Sequence, residues 1–179
     1  YCQSDGTGIS LDISRMGFVR SWWDSMQPSM ANALVEMEKL ESGALANPDE
    51  NRMVGHYWLR NPDIAPNDEI REKIRENLNS LHHFSERVLD GRIKPPNAKR
   101  FSRLLLIGIG GSALGPQLLY QALEGIPEKE LSLSGLETFF IDNTDPEGMA
   151  RIFKKLGDSL KKTLVLVISK SGGTVETRN

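Results

Sequence analysis

One short segment late in the chain combines hydroxyl groups, glycines and a lysine. After a run of apolar residues come, in order, Ser169, Lys170, Ser171, Gly172, Gly173 and Thr174. Three hydroxyls and several backbone N–H groups placed so close together can donate hydrogen bonds to several oxygens of one phosphate group. The pattern therefore favours a phosphate monoester as ligand. The alternative is a polar turn in which Ser and Thr act only as helix caps.

A second segment has the composition of an anion-binding turn. It runs from Gly108 through Gly110, Gly111 and Ser112 into an apolar stretch. Glycines let the backbone approach a ligand closely, and a helix starting near Ser112 would direct free N–H groups at an anion. The segment also fits the G-x-G-x-x-G/A fingerprint of dinucleotide-binding turns. A tight turn without ligand and an NAD-dependent dehydrogenase are the alternatives.

A third polar segment contains two aspartates with different expected roles. Asp145 stands directly before Pro146, which is the pattern of a capped helix start, so we interpret Asp145 as structural. Asp142 can either contact a sugar hydroxyl or order neighbouring loops by accepting backbone N–H groups. We favour ordering, because Asp142 lies well beyond the roughly 20 residues after the first glycine at which a dinucleotide-binding acid is expected.

These three segments follow apolar runs that predict the strands of a parallel sheet. Strands are expected at 104–107, 138–141 and 163–168, alternating with helices at 112–123 and 146–156. Strands that are apolar on both faces are typical of α/β proteins, in which helices cover both sides of a parallel sheet. Ligands of such sheets bind beyond the carboxyl ends of the strands. All three polar segments are predicted to lie there.

The N-terminal half of the chain is predicted to be helical. A first helix is expected to have Pro28 in its first turn, to end at Gly43, and to bury a stripe of residues at helical spacing: Met30, Leu34, Met37 and Leu40. A second helix is expected to be capped by Asn67 and to end at Gly91.

A stiff proline-rich segment at 94–97 gives the best internal boundary. It divides the sequence into a helical N-terminal region, 1–93, and an α/β region, 94–179.

Composition excludes several classes of protein. The 179 residues are 39% hydrophobic and 26% charged, with a net charge of −2, so no broad positive field is available for nucleic acid. No run approaches the roughly 18 apolar residues of a membrane span. Cys2 is the only cysteine, which excludes an intrachain disulfide. No metal site is expected, because the adjacent His82 and His83 would point about 100° apart on a helix.

Six sequence strings resemble the glucose-6-phosphate isomerase family. Three coincide with the polar segments: GIGGSALGPQ at 108–117, DNTDP at 142–146 and SKSGGTVETRN at 169–179. Three lie upstream and are similar to the cyanobacterial and plant-plastid branch of that family: DISRMGF at 12–18, NPDENRMVGHYWLRNPDIAP at 47–66, and RIKPP at 92–96. The resemblance covers almost the whole chain. The SKSGGT and ETRN strings are its most specific part.

The resemblance implies a fold, a reaction and a set of binding residues. The fold would be a three-layer αβα sandwich around the parallel sheet. The reaction would interconvert glucose 6-phosphate and fructose 6-phosphate in glycolysis and gluconeogenesis, by ring opening and proton transfer through a cis-enediol, without a cofactor. Gly111 and Ser112 would touch the sugar chain, and residues 169–174 would hold the phosphate. The resemblance further implies a homodimer when full length, in the cytoplasm or the plastid stroma.

The same resemblance implies that no catalytic residue lies in this segment. The family's base glutamate, ring-opening histidine and late lysine belong to motifs that these 179 residues do not contain. Neither Glu176 nor His56 is assigned to those roles, since Glu176 suits a helix start and His56 suits packing or a subunit contact. The chain is thus expected to be an N-terminal fragment that carries the phosphate-binding part and is inactive alone. A non-catalytic, regulatory sugar-phosphate-binding module is the alternative.

Overall fold

The structure is a computed structural model, and it describes residues 1–123, 136–170, 172–174 and 177. The chain divides into two units, Tyr1–Asn79 and Ser80–Asn179. This division falls inside a long helix, and the domain limits at residues 93 and 94 stay a prediction.

Two antiparallel hairpins and a long helix begin the first unit. Strand β1 (Cys2–Ser4) pairs with β2 (Ile9–Leu11), and β3 (Leu45–Asn47) pairs with β4 (Arg52–Met53). Helix α1 (Arg20–Glu41) connects the two hairpins. Side chains on all four strands are exposed, so these hairpins contribute little to a core.

Helix α1 begins earlier than the sequence suggests. The prediction that Pro28 lies in its first turn is wrong, because Pro28 is inside the helix. An aromatic cluster at the true start explains the difference: the ring of Phe18 stacks on Trp22 with centroids 4.0 Å apart. The amide of Trp22 donates to the carbonyl of Val19 at 3.1 Å and starts the helical pattern there. The predicted end is confirmed, since Ser42 caps the helix and Gly43 follows with a φ of +99°.

The core of the first unit forms around a tryptophan and not around α1. The expectation that the α1 stripe is buried is wrong, since Met30, Leu34 and Met37 are exposed. Trp58, in helix α2 (His56–Arg60), is only 3% exposed and packs with Ala65 and Ile74. Its indole N–H donates to the carbonyl of Glu41 at 2.8 Å, so the buried polar group of this large side chain is satisfied.

Helix α3 (Asp68–Leu89) has the ends that its sequence predicts. The side-chain oxygen of Asn67 accepts the amide of Ile70 at 2.9 Å, which satisfies one donor of the first turn. Beyond the helix, Gly91 has a φ of +79°, and a Cβ there would stand 2.8 Å from the carbonyl oxygen of Lys99. Only glycine fits this position without strain.

Helices α1 and α3 each contain 22 residues. Charged side chains recur along both of them. Across the described ranges, no helix has the combination of length and apolar character that crossing a membrane requires.

A three-stranded parallel sheet organises the second unit. Its strands are β5 (Arg103–Ile107), β6 (Glu137–Ile141) and β7 (Thr163–Val167), in the order β6-β5-β7. Both pairings are parallel, with Leu105 opposite Phe139 on one side and Val165 on the other. The predicted parallel sheet is confirmed, and the strand ends differ from the predicted ones by one residue.

Two helices pack against this sheet. Helix α5 (Pro146–Leu156) places Met149, Ile152 and Leu156 against Leu105 and Ile141. Helix α4 (Gly111–Leu123) contacts the sheet through Tyr120, whose ring meets that of Phe140 with centroids 5.8 Å apart. Because neighbouring residues of a strand point to opposite faces, Phe140 and Ile141 serve different faces of the sheet.

One arginine joins three elements where the strands of the sheet begin. The guanidinium of Arg103 donates to the carbonyls of Lys155 at 3.1 Å and Leu156 at 3.4 Å, at the C-terminus of α5. It also lies 3.0 Å from a carboxylate oxygen of Glu137 and over the ring of Phe139. A cation at the end of a helix also opposes its dipole favourably. Arg103 therefore acts as a structural link.

Candidate functional site

The glycine-rich and hydroxyl-rich segments follow neighbouring strands. Ile107 at the end of β5 pairs with Val167 at the end of β7, and the amide of Ile168 extends this pairing by donating to the carbonyl of Ile107 at 2.9 Å. Gly108 and Ser169 therefore begin their loops side by side. The chain leaves β5 for β6 on one side and later returns to β7 on the other, so these two loops flank the switch point at which open α/β sheets bind ligands.

In the first loop, residues 108–112, Gly108 and Gly110 are each favoured for a different structural reason. A Cβ on Gly108 would stand 3.0 Å from the carbonyl oxygen of Ser112, so a side chain there would crowd the backbone of the turn. Gly110 has a φ of +55°, which L-residues with a Cβ seldom adopt. The loop is tied to β6 because the amide of Gly108 donates to the carbonyl of Ile141 at 3.1 Å.

The start of α4 differs from the sequence expectation in one respect. The amides of Ser112 and Ala113 donate to the carbonyls of Ile109 and Gly110, at 3.1 and 3.0 Å, so the N–H group of Ser112 is used inside the turn. Gly111 is exposed, and a Cβ on it would meet no atom within 4 Å. Neither crowding nor a positive φ requires glycine at this position. Its missing side chain instead leaves open space beyond the strand ends.

In the second loop, two hydroxyls converge. The Oγ of Ser169 and the Oγ1 of Thr174 are 3.0 Å apart, and the amide of Gly172 donates to Ser169 Oγ at 3.1 Å. Gly172 reaches this position with a φ of +67°. Hydroxyl groups rotate to suit their partners, so this pair can turn its protons towards a bound oxygen. The third hydroxyl predicted here, that of Ser171, lies outside the described residues.

The other described residues of this loop are exposed. Lys170, Gly172 and Gly173 are exposed, and Thr174 is half-buried. The amide and hydroxyl of Thr177 both contact the carbonyl of Thr174, at 3.1 and 2.9 Å, which holds the end of the loop. The described part of the loop thus combines a half-buried hydroxyl pair with exposed backbone and one exposed lysine.

The aspartates after β6 serve structure. Asp145 caps α5, accepting the amides of Glu147 at 3.3 Å and Gly148 at 2.8 Å, as its position before Pro146 predicts. Asp142 accepts a hydrogen bond of 2.8 Å from the side-chain amide of Gln117. This bond agrees with an ordering role, but the donor is a side chain of α4 and not the backbone N–H that we expected. Nothing in the local sequence singles out Gln117, because its partner lies one strand further on.

A cleft of about 420 Å³ lies beside the end of β6 and the start of α5. Its polar lining includes Asp142, Asn143, Asp145 and Arg151. Among the described residues that line it, none is a sugar- or phosphate-binding residue predicted from the sequence. The carboxylates of this cleft already accept hydrogen bonds from Gln117 and from the first turn of α5, so the switch point is the better candidate site.

The histidines give no sign of metal binding. Within the described ranges, no group of three or more His, Cys, Asp or Glu side chains could hold a metal ion. The ring of His56 lies against that of Tyr57, with centroids 4.0 Å apart, which fits the packing role expected for it.

Comparison with known proteins identifies the family of the chain. The family model described as phosphoglucose isomerase matches residues 28–179. A glucose-6-phosphate isomerase of Gloeothece citriformis is 52% identical over 172 residues, which cover 96% of this chain and 32% of that relative. One of Rippkaea orientalis is 53% identical over 175 residues, covering 98% and 32%. One of Geotalea daltonii is 51% identical over 172 residues, covering 96% and 31%.

The chain thus spans about a third of the length of the curated relatives that it matches. The family match covers both polar loops at the switch point, together with the sheet that carries them. From its sequence and its matches, this chain belongs to the phosphoglucose isomerase family.

Proposed function

We propose that this chain is the sugar-phosphate-holding part of a glucose-6-phosphate isomerase, which interconverts glucose 6-phosphate and fructose 6-phosphate. The observation that carries the proposal is the position of the paired hydroxyls of Ser169 and Thr174 beside the loop of Gly111. Both loops begin at neighbouring strand ends. The names of the relatives support the same activity.

The loop after β7 holds the phosphate in this proposal. The hydroxyls of Ser169, Ser171 and Thr174 donate to phosphate oxygens, replacing the bond that Ser169 and Thr174 make with each other. Lys170 adds positive charge, and the backbone at Gly172 and Gly173 completes the polar surface. Hydrogen bonds to a charged group are worth about 1.5–3 kcal/mol each, so a few of them suffice to anchor a small substrate.

The loop after β5 faces the sugar chain. Gly111 is open to solvent, and its lack of a side chain is not needed for the packing of the chain itself. A sugar carbon chain can therefore approach the backbone there, with the hydroxyl of Ser112 beside it. A phosphate held at one strand end and a sugar chain held at the next would place the reacting carbons at a fixed distance from the anchor.

The proposed reaction opens the sugar ring and moves a proton between C2 and C1 through a cis-enediol. Such a step is general acid and base chemistry beside a carbonyl group, and its electrons and protons balance without a redox cofactor. The anchored phosphate contributes orientation. The base and the acid are assigned to the two thirds of the relatives' length that this chain does not span.

Three further properties belong to the same proposal. On the sequence resemblance, the complete protein would have a three-layer αβα sandwich and would form a homodimer. It would work in the cytoplasm, in line with its cyanobacterial relatives. The plastid stroma is the alternative location that the sequence resemblance allows. The alternative of a regulatory sugar-phosphate-binding module gains no support, because the relatives of this chain are named glucose-6-phosphate isomerase.

Titration of the 179-residue chain, followed by amide NMR shifts, tests the proposal. Inorganic phosphate should shift the amides of Gly172, Gly173 and Thr174. Glucose 6-phosphate should shift these and also Gly111 and Ser112, whereas glucose should shift neither loop because it lacks the anchoring group. The same samples should produce no fructose 6-phosphate, since the proposed acid and base are missing.

Two outcomes would contradict the proposal. If glucose shifted the amides as much as glucose 6-phosphate does, the loop after β7 would not anchor the ligand through its phosphate group. Binding that leaves both loops unshifted would place the ligand elsewhere on the chain.

A further inference from the structure

We propose that Gln117 and Asp142 form a positioning pair that fixes the sugar-facing loop, residues 108–112, against the end of β6. The inference rests on the proposed function of that loop and adds to it. The observation is the 2.8 Å hydrogen bond from the side-chain amide of Gln117 to a carboxylate oxygen of Asp142. This bond joins α4 to a loop that follows a different strand.

The sugar-facing loop is attached to β6 on its N-terminal side, and on its C-terminal side α4 contacts β6 through Tyr120 and the segment after β6 through Gln117. On its N-terminal side the amide of Gly108 donates to the carbonyl of Ile141. On its C-terminal side, in the middle of α4, lies Gln117. The amides of Ser112 and Ala113 between them are used in bonds within the turn, so these bonds shape the loop without placing it over the sheet.

The acceptor of the pair stands on a well-fixed segment. Next to Asp142, the side chain of Asn143 accepts the amide of Asp145 at 2.9 Å. Asp145 in turn caps α5, whose apolar side is buried against the sheet. The backbone that carries Asp142 thus lies between the end of β6 and a segment that these local bonds order, and the described partner of its carboxylate is Gln117. Gln117 transfers that fixed position to α4 and to the glycines at its start.

The expected consequence is selective for the sugar part of the ligand. The hydroxyl-rich loop follows β7 and is attached to β5 through the bond from Ile168 to Ile107, so it does not depend on the pair. Loosening the sugar-facing loop should weaken the binding of a sugar phosphate and leave the binding of inorganic phosphate as it is. If the pair only stabilised the fold, its loss would weaken the binding of sugar phosphate and of inorganic phosphate equally.

The test compares four forms of the 179-residue chain: unaltered, Gln117→Glu, Gln117→Met, and the double variant Gln117→Glu with Asp142→Asn. Gln117→Glu sets two carboxylates against each other, and Gln117→Met removes the donor without adding charge. The double variant exchanges amide and carboxylate and so restores a charge-assisted bond. Dissociation constants for glucose 6-phosphate and for inorganic phosphate are measured by NMR titration, with a melting curve for each form.

We expect Gln117→Glu to raise the dissociation constant for glucose 6-phosphate about tenfold, the effect of losing a hydrogen bond to a charged group. Gln117→Met should raise it by less, and the double variant should return it to within about twofold. Inorganic phosphate should bind all four forms equally. Unchanged glucose 6-phosphate binding in both single variants, equal losses for both ligands, or failure of the double variant to recover would overturn the inference.

Failure of the proposed function has a different signature. If the unaltered chain bound neither ligand, the assignment of both loops would fall, and the positioning pair with it. If the unaltered chain bound both ligands and the variants did so equally, the proposed function would stand and only the pair would be withdrawn. Gln117→Met keeps the test valid should the repulsion in Gln117→Glu unfold the chain.

Discussion

The two ends of the parallel sheet use polar groups in opposite ways. Where the strands begin, the guanidinium of Arg103 contacts two carbonyls, one carboxylate and one aromatic ring. Where the strands end, Ser169 and Thr174 hold each other across a short exposed loop, and Gly111 faces open space. At the strand starts, a charged side chain binds other groups of the protein. At the strand ends, small hydroxyl side chains and a glycine lie near the surface. The difference separates residues that stabilise the sheet from residues available to a ligand.

Strand direction explains why the division is so clear. All three strands are parallel, so every start lies at one edge and every end at the other. The loops that enter helices therefore collect at the carboxyl edge, as in other open α/β sheets. Substitutions at the two edges should change different measured quantities.

The largest effect is expected from Thr174→Val, which keeps the shape of the side chain and removes its hydroxyl. Losing one donor to a charged phosphate should raise the dissociation constants for inorganic phosphate and glucose 6-phosphate roughly ten- to a hundredfold. Isothermal titration of the chain measures both. Thr144→Val, at an exposed position after β6, is the matched control and should leave both constants unchanged.

Equal binding by the Thr174→Val and Thr144→Val chains would show that the hydroxyl of Thr174 does not bind phosphate. The loop after β7 would then be an ordinary turn, and the phosphate would have to be assigned elsewhere.

A smaller effect, on stability alone, is expected from Arg103→Met. The methionine fills similar space but leaves the carbonyls of Lys155 and Leu156 without their donor, so the free energy of unfolding should fall by about 2 kcal/mol. Urea denaturation measures this change, and glucose 6-phosphate should bind as before. Arg151→Met, at an exposed arginine of α5, should cost less than about 0.5 kcal/mol. A binding defect in Arg103→Met would show that the two ends of the sheet are not independent.

The smallest effect is expected from Asp145→Ala, which tests whether the loop after β6 stabilises the fold or binds the ligand. Loss of the cap of α5 should lower the free energy of unfolding by about 1 kcal/mol. Asp145→Asn should restore most of it, because asparagine caps equally well. Thermal melting of both variants measures this difference. If glucose 6-phosphate binding fell with the alanine and recovered with the asparagine, the loop after β6 would have to be counted with the binding loops.

The elements of the second unit are readable from sequence because their signals are local. Continuous apolar runs at 104–107 and 138–141 leave few choices other than buried strands, and Asp145 with Pro146 fixes a helix start. Helix α1 shows the limit of such signals. Pro28 suits a first turn, but the packing of Phe18 on Trp22 starts the helix earlier. Tertiary contacts of this kind override local preference.

The site is readable in part for the same reason. The hydroxyls of Ser169 and Thr174 lie within one motif, so their convergence follows from local sequence. The bond from Gln117 to Asp142 and the links of Arg103 join different elements, and neither has a local pattern. The predicted start of α4 near Ser112 is confirmed within one residue, but composition alone does not reveal that the amide of Ser112 donates to the carbonyl of Ile109.

The central place of β5 also sets the order in which this sheet can be completed during synthesis. Leu105 can pair with Phe139 as soon as β6 has been synthesised. Its pairing with Val165 follows later, because β7 leaves the ribosome after β6. Closing the longer connection also costs more chain entropy. A nascent chain that has paired only β5 with β6 has no hydroxyl loop beside Gly108. The edge that would bind sugar phosphate is thus complete only when the last of the three strands has paired.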